Sequence, residues 1–251
     1  MIYVVLGLGF SGTTLVSELL HHAGVTMISA VADSYESGGK YEHPDFKDVN
    51  KQLLDLRGAR VTHLRPGQCP RRAPPGCRAR MEHIVSLQHS RCADWGFKDP
   101  RTVLTYPLWR AVLPPHRIIG IYRDPAEIWP RRRAKHHGCR WLDGWYALRH
   151  LRQWCEYNDA IIRYCARFDG QCLILNYRRL MSTDEELARI SRFIGRKVPD
   201  RRRPARHRSD PCRDPVFETI RNAMDRFGPW RPRVVARRLA LLGMTGAPLE
   251  R

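Results

Sequence analysis

The sequence predicts an α/β fold: a single domain with a central parallel β-sheet flanked by helices. Two patterns point there. Short β-rich runs alternate with longer stretches of helical spacing, which is the order expected when strands pair in parallel through helical crossovers. The chain also has 251 residues, 43% of them hydrophobic, with seven tryptophans, enough to build one well-buried core.

The first strand is Ile2–Leu6, followed by a glycine-bearing turn and a helix over 13–23. In that helix Leu15, Leu19 and Leu20, with Val16 and Ala23, form an apolar stripe, and Gly24 supplies the stop. A second strand over 95–97 leads to a helix over 102–113. A third over 117–122 leads to a long helical stretch. The fourth, Cys172–Asn176, precedes a helix over 184–194 that Ser182, Thr183 or Asp184 can cap and Gly195 ends.

Two Pro- and Arg-rich segments, 65–80 and 196–215, interrupt this rhythm and read as loops. The expected organisation is an α/β domain over 1–195 with an insertion at 65–80. A basic C-terminal extension over 196–251, loop plus helix, packs on the same domain.

The formal net charge is +19, yet only six of the 44 basic residues are lysine and the arginines are spread through nearly every segment. Dispersed charge of this kind favours attraction of an anionic small molecule over a nucleic-acid footprint. The eight cysteines show no C-x-x-C pair and no zinc-site spacing, so no metal is expected and the thiols read as free. A Cys69 bridge to Cys77 or Cys92 is the disulfide alternative. No apolar run approaches the length that crosses a bilayer, and no cleavage-site pattern follows the apolar start, so a cytoplasmic protein without membrane contact is expected.

The most informative stretch is Gly7-x4-Gly12 followed by Thr13-Thr14, between a strand and a helix start. Unpaired backbone N–H groups converge there with the positive end of the helix dipole behind them, which makes an anion site. In an ATP-hydrolysing enzyme position 13 would be the lysine that reaches the outer phosphates. Thr13 cannot deliver that charge, so the expected ligand is a 5′-phosphate carrying something other than a phosphate chain.

Here the residues resemble the sulfotransferases that use 3′-phosphoadenosine 5′-phosphosulfate (PAPS), whose S-G-T-[TS] loop appears as Ser11-Gly12-Thr13-Thr14. Further landmarks follow in matching order. "YESGGKYEHPDFKDVNKQLL" (35–54) is similar to the family's Tyr-Glu then Asn-x-x-Leu-Leu segment. "WGFKDPRT" (95–102) resembles its strand ending in Lys-Asp-Pro-Arg. "RIIGIYRDPAEIWPRRR" (117–133) resembles its Arg-Asp-Pro turn, and "CLILNYRRLMSTDEELARISRFIG" (172–195) its late strand, tyrosine and helix. Together they cover roughly residues 2–195.

The resemblance implies a bacterial-type, P-loop NTPase-like sulfotransferase architecture. The implied activity moves a sulfuryl group from PAPS to a hydroxyl or amine of a small-molecule, carbohydrate or peptide acceptor, releasing 3′-phosphoadenosine 5′-phosphate (PAP). It implies that Gly9, Phe10, Ser11, Gly12, Thr13 and Thr14 surround the 5′-phosphate. Arg123 would bind the 3′-phosphate, and Tyr177 would lie near adenine or serve as a core tyrosine. Lys98, helped by Arg101, would stabilise the departing phosphate oxygen. For the base the first choice is Glu42, with Glu36, His43 and Asp99 as alternatives.

Simpler roles are ion pairs: Lys98 with Asp99, and Arg123 with Asp124 or Glu127. Two positions depart from the family pattern. Phe10 stands where Lys or Arg usually precedes Ser-Gly-Thr, and Arg131 stands where Ser usually follows the Arg of Arg-Asp-Pro by eight residues, so that the resemblance implies Arg131 as the residue that keeps this phosphate contact. The alternatives are a P-loop small-molecule kinase and a non-catalytic nucleotide or nucleic-acid binder. The tryptophan-rich cluster Trp129, Trp141, Trp145, Tyr146 and Trp154 reads mainly as helix core.

Overall fold

The computed structural model describes residues 1–27, 41–54, 71–134, 142–168, 172–203 and 214–245. Its centre is a four-stranded sheet of β1 (Ile2–Leu6), β2 (Trp95–Lys98), β3 (His116–Tyr122) and β4 (Cys172–Asn176) in the order β2-β1-β3-β4. Every pairing is parallel: Val5 lies opposite Lys98, Leu6 opposite Gly120, and Tyr122 opposite Asn176. All four C-terminal ends therefore meet at one edge, with β1 between the strands that leave it in opposite directions. In open α/β sheets such a switch point is where ligands bind.

The two-residue period of the strands divides the core. Ile2, Val4, Leu6, Ile118 and Ile174 face one side, where α2 (Pro44–Leu53), α3 (Pro75–Arg91), α4 (Thr102–Arg110), α6 (Asp143–Ala166) and α10 (Pro232–Thr245) pack. Tyr3, Val5, Ile119, Ile121, Leu173 and Leu175 face the other, under α1 (Thr13–His22), α7 (Tyr177–Ser182) and α8 (Glu185–Ile194). A smaller cluster joins Trp129 of α5 (Pro125–Arg133) to Leu151 of α6 and to Phe217 and Met224 of α9 (Pro215–Phe227). Trp129 and Trp154 are core residues, whereas Trp145 is exposed; Trp141 lies outside the described residues.

The four expected strands are present to within a residue or two. Gly24 and Gly195 end α1 and α8 with left-handed backbones, as helix stops do. Asp184 is the N-terminal flanking residue of α8, but its carboxylate takes a bond from Arg202 instead of capping the helix. Arg202 also donates to the carbonyls of Leu180 and Thr183, which ties the non-helical residues 196–203 onto α7 and α8.

Two expectations need correction. The segment 65–80 is not loop throughout, because α3 starts at Pro75. Proline fits a first helical turn, where its missing N–H costs nothing, and Arg78 pairs with Glu82 one turn on at 2.9 Å. The cysteines are not all free thiols. Cys165 at the end of α6 and Cys172 at the start of β4 form a disulfide, their Cα atoms 5.6 Å apart. Cys77 and Cys92 are free, and Cys69 lies outside the described residues.

The turn from β1 to α1 is closely packed. Gly12 has φ of 100°, and a Cβ there would stand 2.3 Å from Cδ2 of the Tyr177 ring. At Gly9 a Cβ would meet nothing within 4 Å. Gly12→Ala is therefore expected to lower the unfolding free energy by about 2–4 kcal/mol, from left-handed backbone strain plus overpacking. Gly9→Ala should cost less than about 1 kcal/mol. Urea unfolding of both variants checks this, and equal losses would contradict the geometry.

Candidate active site

The edge where the strands end carries several buried charged residues, Lys98, Asp99 and Arg123 among them. From β1 comes the loop 7–12. Phe10 adopts φ of 72°, uncommon for a bulky residue, and its half-buried ring packs on the α2 side of the sheet. The Ser11 amide closes the turn onto the Leu8 carbonyl at 3.0 Å, and the amides that open α1 follow at once. The Ser11 hydroxyl is buried and has no hydrogen-bond partner among the described residues. A buried unsatisfied hydroxyl costs free energy unless something else meets it. Thr13 is buried and Thr14 half-buried on the same turn.

From β2 comes Lys98, 1% exposed, whose Nζ donates to Glu42 Oε1 at 3.2 Å. Glu42 sits two residues before α2, and α2 is held to the end of β2 by Asn50. The Asn50 amide donates to Thr102 Oγ1 at 3.0 Å and to Asp99 at 3.4 Å; its oxygen accepts from Thr105 Oγ1 at 2.6 Å and Trp109 Nε1 at 2.8 Å. Such a saturated buried amide fixes the relative positions of the three elements it joins. Asp99 accepts from the Arg101 backbone at 2.8 Å and its guanidinium at 2.5 Å. The Lys98–Asp99 pair considered above is thus replaced by two others, Lys98–Glu42 and Arg101–Asp99.

From β3 comes Arg123, 2% exposed. Its Nε donates to Glu127 Oε2 at 2.9 Å, one turn along α5, and its guanidinium lies 4.3 Å from the Tyr177 ring centroid. Arg178 reaches the other oxygen of Glu127 at 3.1 Å. From β4 comes Tyr177, one face of its ring on Arg123 and an edge against Gly12, so three strand ends meet at a single aromatic ring.

Of the residues singled out in the sequence, the loop, Arg123 and Tyr177 form one connected group, and Lys98, Glu42, Asp99 and Arg101 line the neighbouring strand end. His43 points elsewhere: its Nε2 meets Gln88 of α3 at 3.0 Å. Arg131 is exposed on α5, and Glu36 lies outside the described residues. Of the two ion-pair partners considered for Arg123, Glu127 is the one in contact. Asn50 carries structural work that the sequence reading did not assign, and nothing local signals it.

A profile of the sulfotransferase family matches residues 3–200, and the chain belongs to that family. No curated protein matches it at the sequence level. Among solved structures it is similar to the sulfotransferase domain of the curacin biosynthetic pathway: TM-score 0.51 and 13% identity, over 95% of this chain and 97% of that one. It is similar also to the sulfotransferase domain of the Synechococcus PCC 7002 olefin synthase: TM-score 0.51 and 17% identity, over 96% and 93%. These likenesses establish a shared fold. Among the described residues no cluster could hold a metal ion, and no helix is long and apolar enough to cross a membrane.

Burial pushes the Asp99 carboxyl up from 3.8 to about 6; Arg101 opposes the rise and Glu42 adds to it. Between about pH 4 and 6 the folded protein keeps a proton that the unfolded chain has released. The group's contribution to stability therefore falls as pH rises through that window and is constant above it. The stability of the wild type relative to Asp99→Asn should decline from pH 4 to 6 and level off by pH 7, as read by urea unfolding at each pH. A difference that rises with pH would contradict this environment.

Proposed function

We propose that the chain is a PAPS-dependent sulfotransferase acting on a hydroxyl or amine of an organic acceptor. The observation that carries this reading is the meeting of an anion-receptive loop, a buried lysine and a buried arginine at one sheet edge. PAPS asks for that combination: a 5′-phosphate for the loop, a bridging oxygen for the lysine and a 3′-phosphate for the arginine. The Ser11 hydroxyl and the α1 amides, with Thr13 and Thr14, fit the first requirement. Thr13 in place of a lysine disfavours ATP.

When bound, the donor supplies the activated sulfuryl group: its sulfur forms a bond to the acceptor atom as the sulfur–oxygen bond to the 5′-phosphate breaks, releasing PAP. Lys98 holds its ammonium against the bridging oxygen and stabilises the charge left on PAP. Glu42, already in contact with Lys98, accepts the proton from the acceptor hydroxyl or amine. Arg123 grips the 3′-phosphate, with Tyr177 and Glu127 fixing the guanidinium plane and exposed Arg131 available from the next turns of α5. Phe10 puts an apolar wall where relatives usually place a cation, so Lys98 carries more of the charge stabilisation.

PAP at about a hundred times its Kd should raise Tm by about 5–10 °C, and ATP with magnesium, AMP or DNA by much less. Equal stabilisation by ATP, or stabilisation by DNA alone, would overturn the reading. With radiolabelled PAPS, Lys98→Ala should lower turnover about a hundredfold while leaving PAP binding within a few-fold. Arg123→Ala should weaken PAP binding about tenfold or more. The opposite pattern would exchange the two roles.

A further inference from the structure

Two guanidiniums at the sheet edge share one buried carboxylate, that of Glu127 on α5. Its Oε2 accepts from Arg123 Nε at 2.9 Å, and its Oε1 meets Arg178 Nε at 3.1 Å. Nitrogens that reach the two oxygens of one carboxylate also stand close enough together to reach two oxygens of one phosphate. The two arginines differ in access. Arg123 is 2% exposed and stacked on the Tyr177 ring, whereas the Arg178 side chain is 59% exposed, so an anion arriving from solvent can meet it.

Arg178 is brought there by a short series of local constraints. β4 ends at Asn176, whose Oδ1 accepts from the Arg179 amide at 3.2 Å and whose own amide donates to the Tyr122 hydroxyl, at the end of β3, at 3.0 Å. These two bonds fix the first turn of α7 to the sheet. Tyr177 then lies on Arg123 and against Gly12, and Arg178 reaches across to Glu127. Arg179, the next residue, turns instead to Glu185 at 2.6 Å and Glu186 at 3.3 Å on α8. One of two consecutive arginines thus joins Arg123, and the other joins α8. Glu127 is already matched by Arg123, so neutralising it does not require a second guanidinium.

We propose that Arg178 is a second arm of the 3′-phosphate site and sets the preference for a 3′-phosphorylated nucleotide over one with a free 3′-hydroxyl. This rests on the donor assignment above. Arg123 holds the phosphate from the buried side and Arg178 from the solvent side, while Glu127 keeps the two guanidiniums at a common point. A planar fork on each side suits a phosphate dianion better than one arginine alone.

The test is calorimetric titration of the wild type, Arg178→Gln and Arg179→Gln with PAP and with AMP, which lacks only the 3′-phosphate. The wild type should bind PAP about a hundredfold more tightly than AMP. Arg178→Gln should weaken PAP about tenfold and leave AMP within about twofold, so that the preference shrinks about tenfold. Arg179→Gln, which removes the same charge from the neighbouring position, should leave the preference unchanged. A preference that survives Arg178→Gln, equal weakening of PAP and AMP, or an equal loss of preference in Arg179→Gln would overturn the proposal and leave the donor assignment standing. No preference for PAP over AMP in the wild type would instead remove the donor assignment, and this proposal with it.

Discussion

The site depends on the parallel pairing of β1 with β2 on one side and β3 on the other. Because all four strands run the same way, residues far apart in sequence leave the sheet at one edge: Gly7 to Thr14, Lys98 to Arg101, Arg123 and Tyr177. The contact of Gly12 with the Tyr177 ring then sets how close the first and last of these segments come. A side chain at position 12 would push the phosphate loop away from the residue on which Arg123 is stacked. One glycine and one aromatic ring thereby link the loop that follows β1 to Arg123 at the end of β3.

Charge at this edge is held in waiting. Lys98 is met by Glu42, Arg101 by Asp99, and Arg123 by Glu127, each pair wholly or mostly buried. Paired cations can be buried at tolerable cost and remain oriented for a ligand that brings stronger acceptors. In the proposed reaction Glu42 gains a second use, since a carboxylate already beside the Lys98 ammonium is well placed to take a proton.

Much of this was legible in the sequence because it is local. The strands are short, mostly apolar runs, the loop is a glycine pattern before an amphipathic helix, and Lys98 ends one apolar strand while Arg123 directly follows another. What could not be read depends on contacts between distant segments. Asn50 looks like any helix asparagine until β2 and α4 close around it. Arg132 is one of three consecutive arginines, and only the packing of α6 against α5 shows that the middle one is buried while Arg131 faces outward. The start of α3 at Pro75 was hidden by a composition that suggests loop, and the Cys165–Cys172 disulfide by a spacing that matches no common motif.

The most direct measurement of the central claim is a crystal structure of the protein with PAP bound. The account predicts the 5′-phosphate on the amides of residues 9–14 and the Ser11 hydroxyl, the bridging-oxygen position within reach of Lys98, and the 3′-phosphate on Arg123. A nucleotide bound away from this edge, or one whose 3′-phosphate faces solvent while Arg123 stays on Glu127, would contradict it.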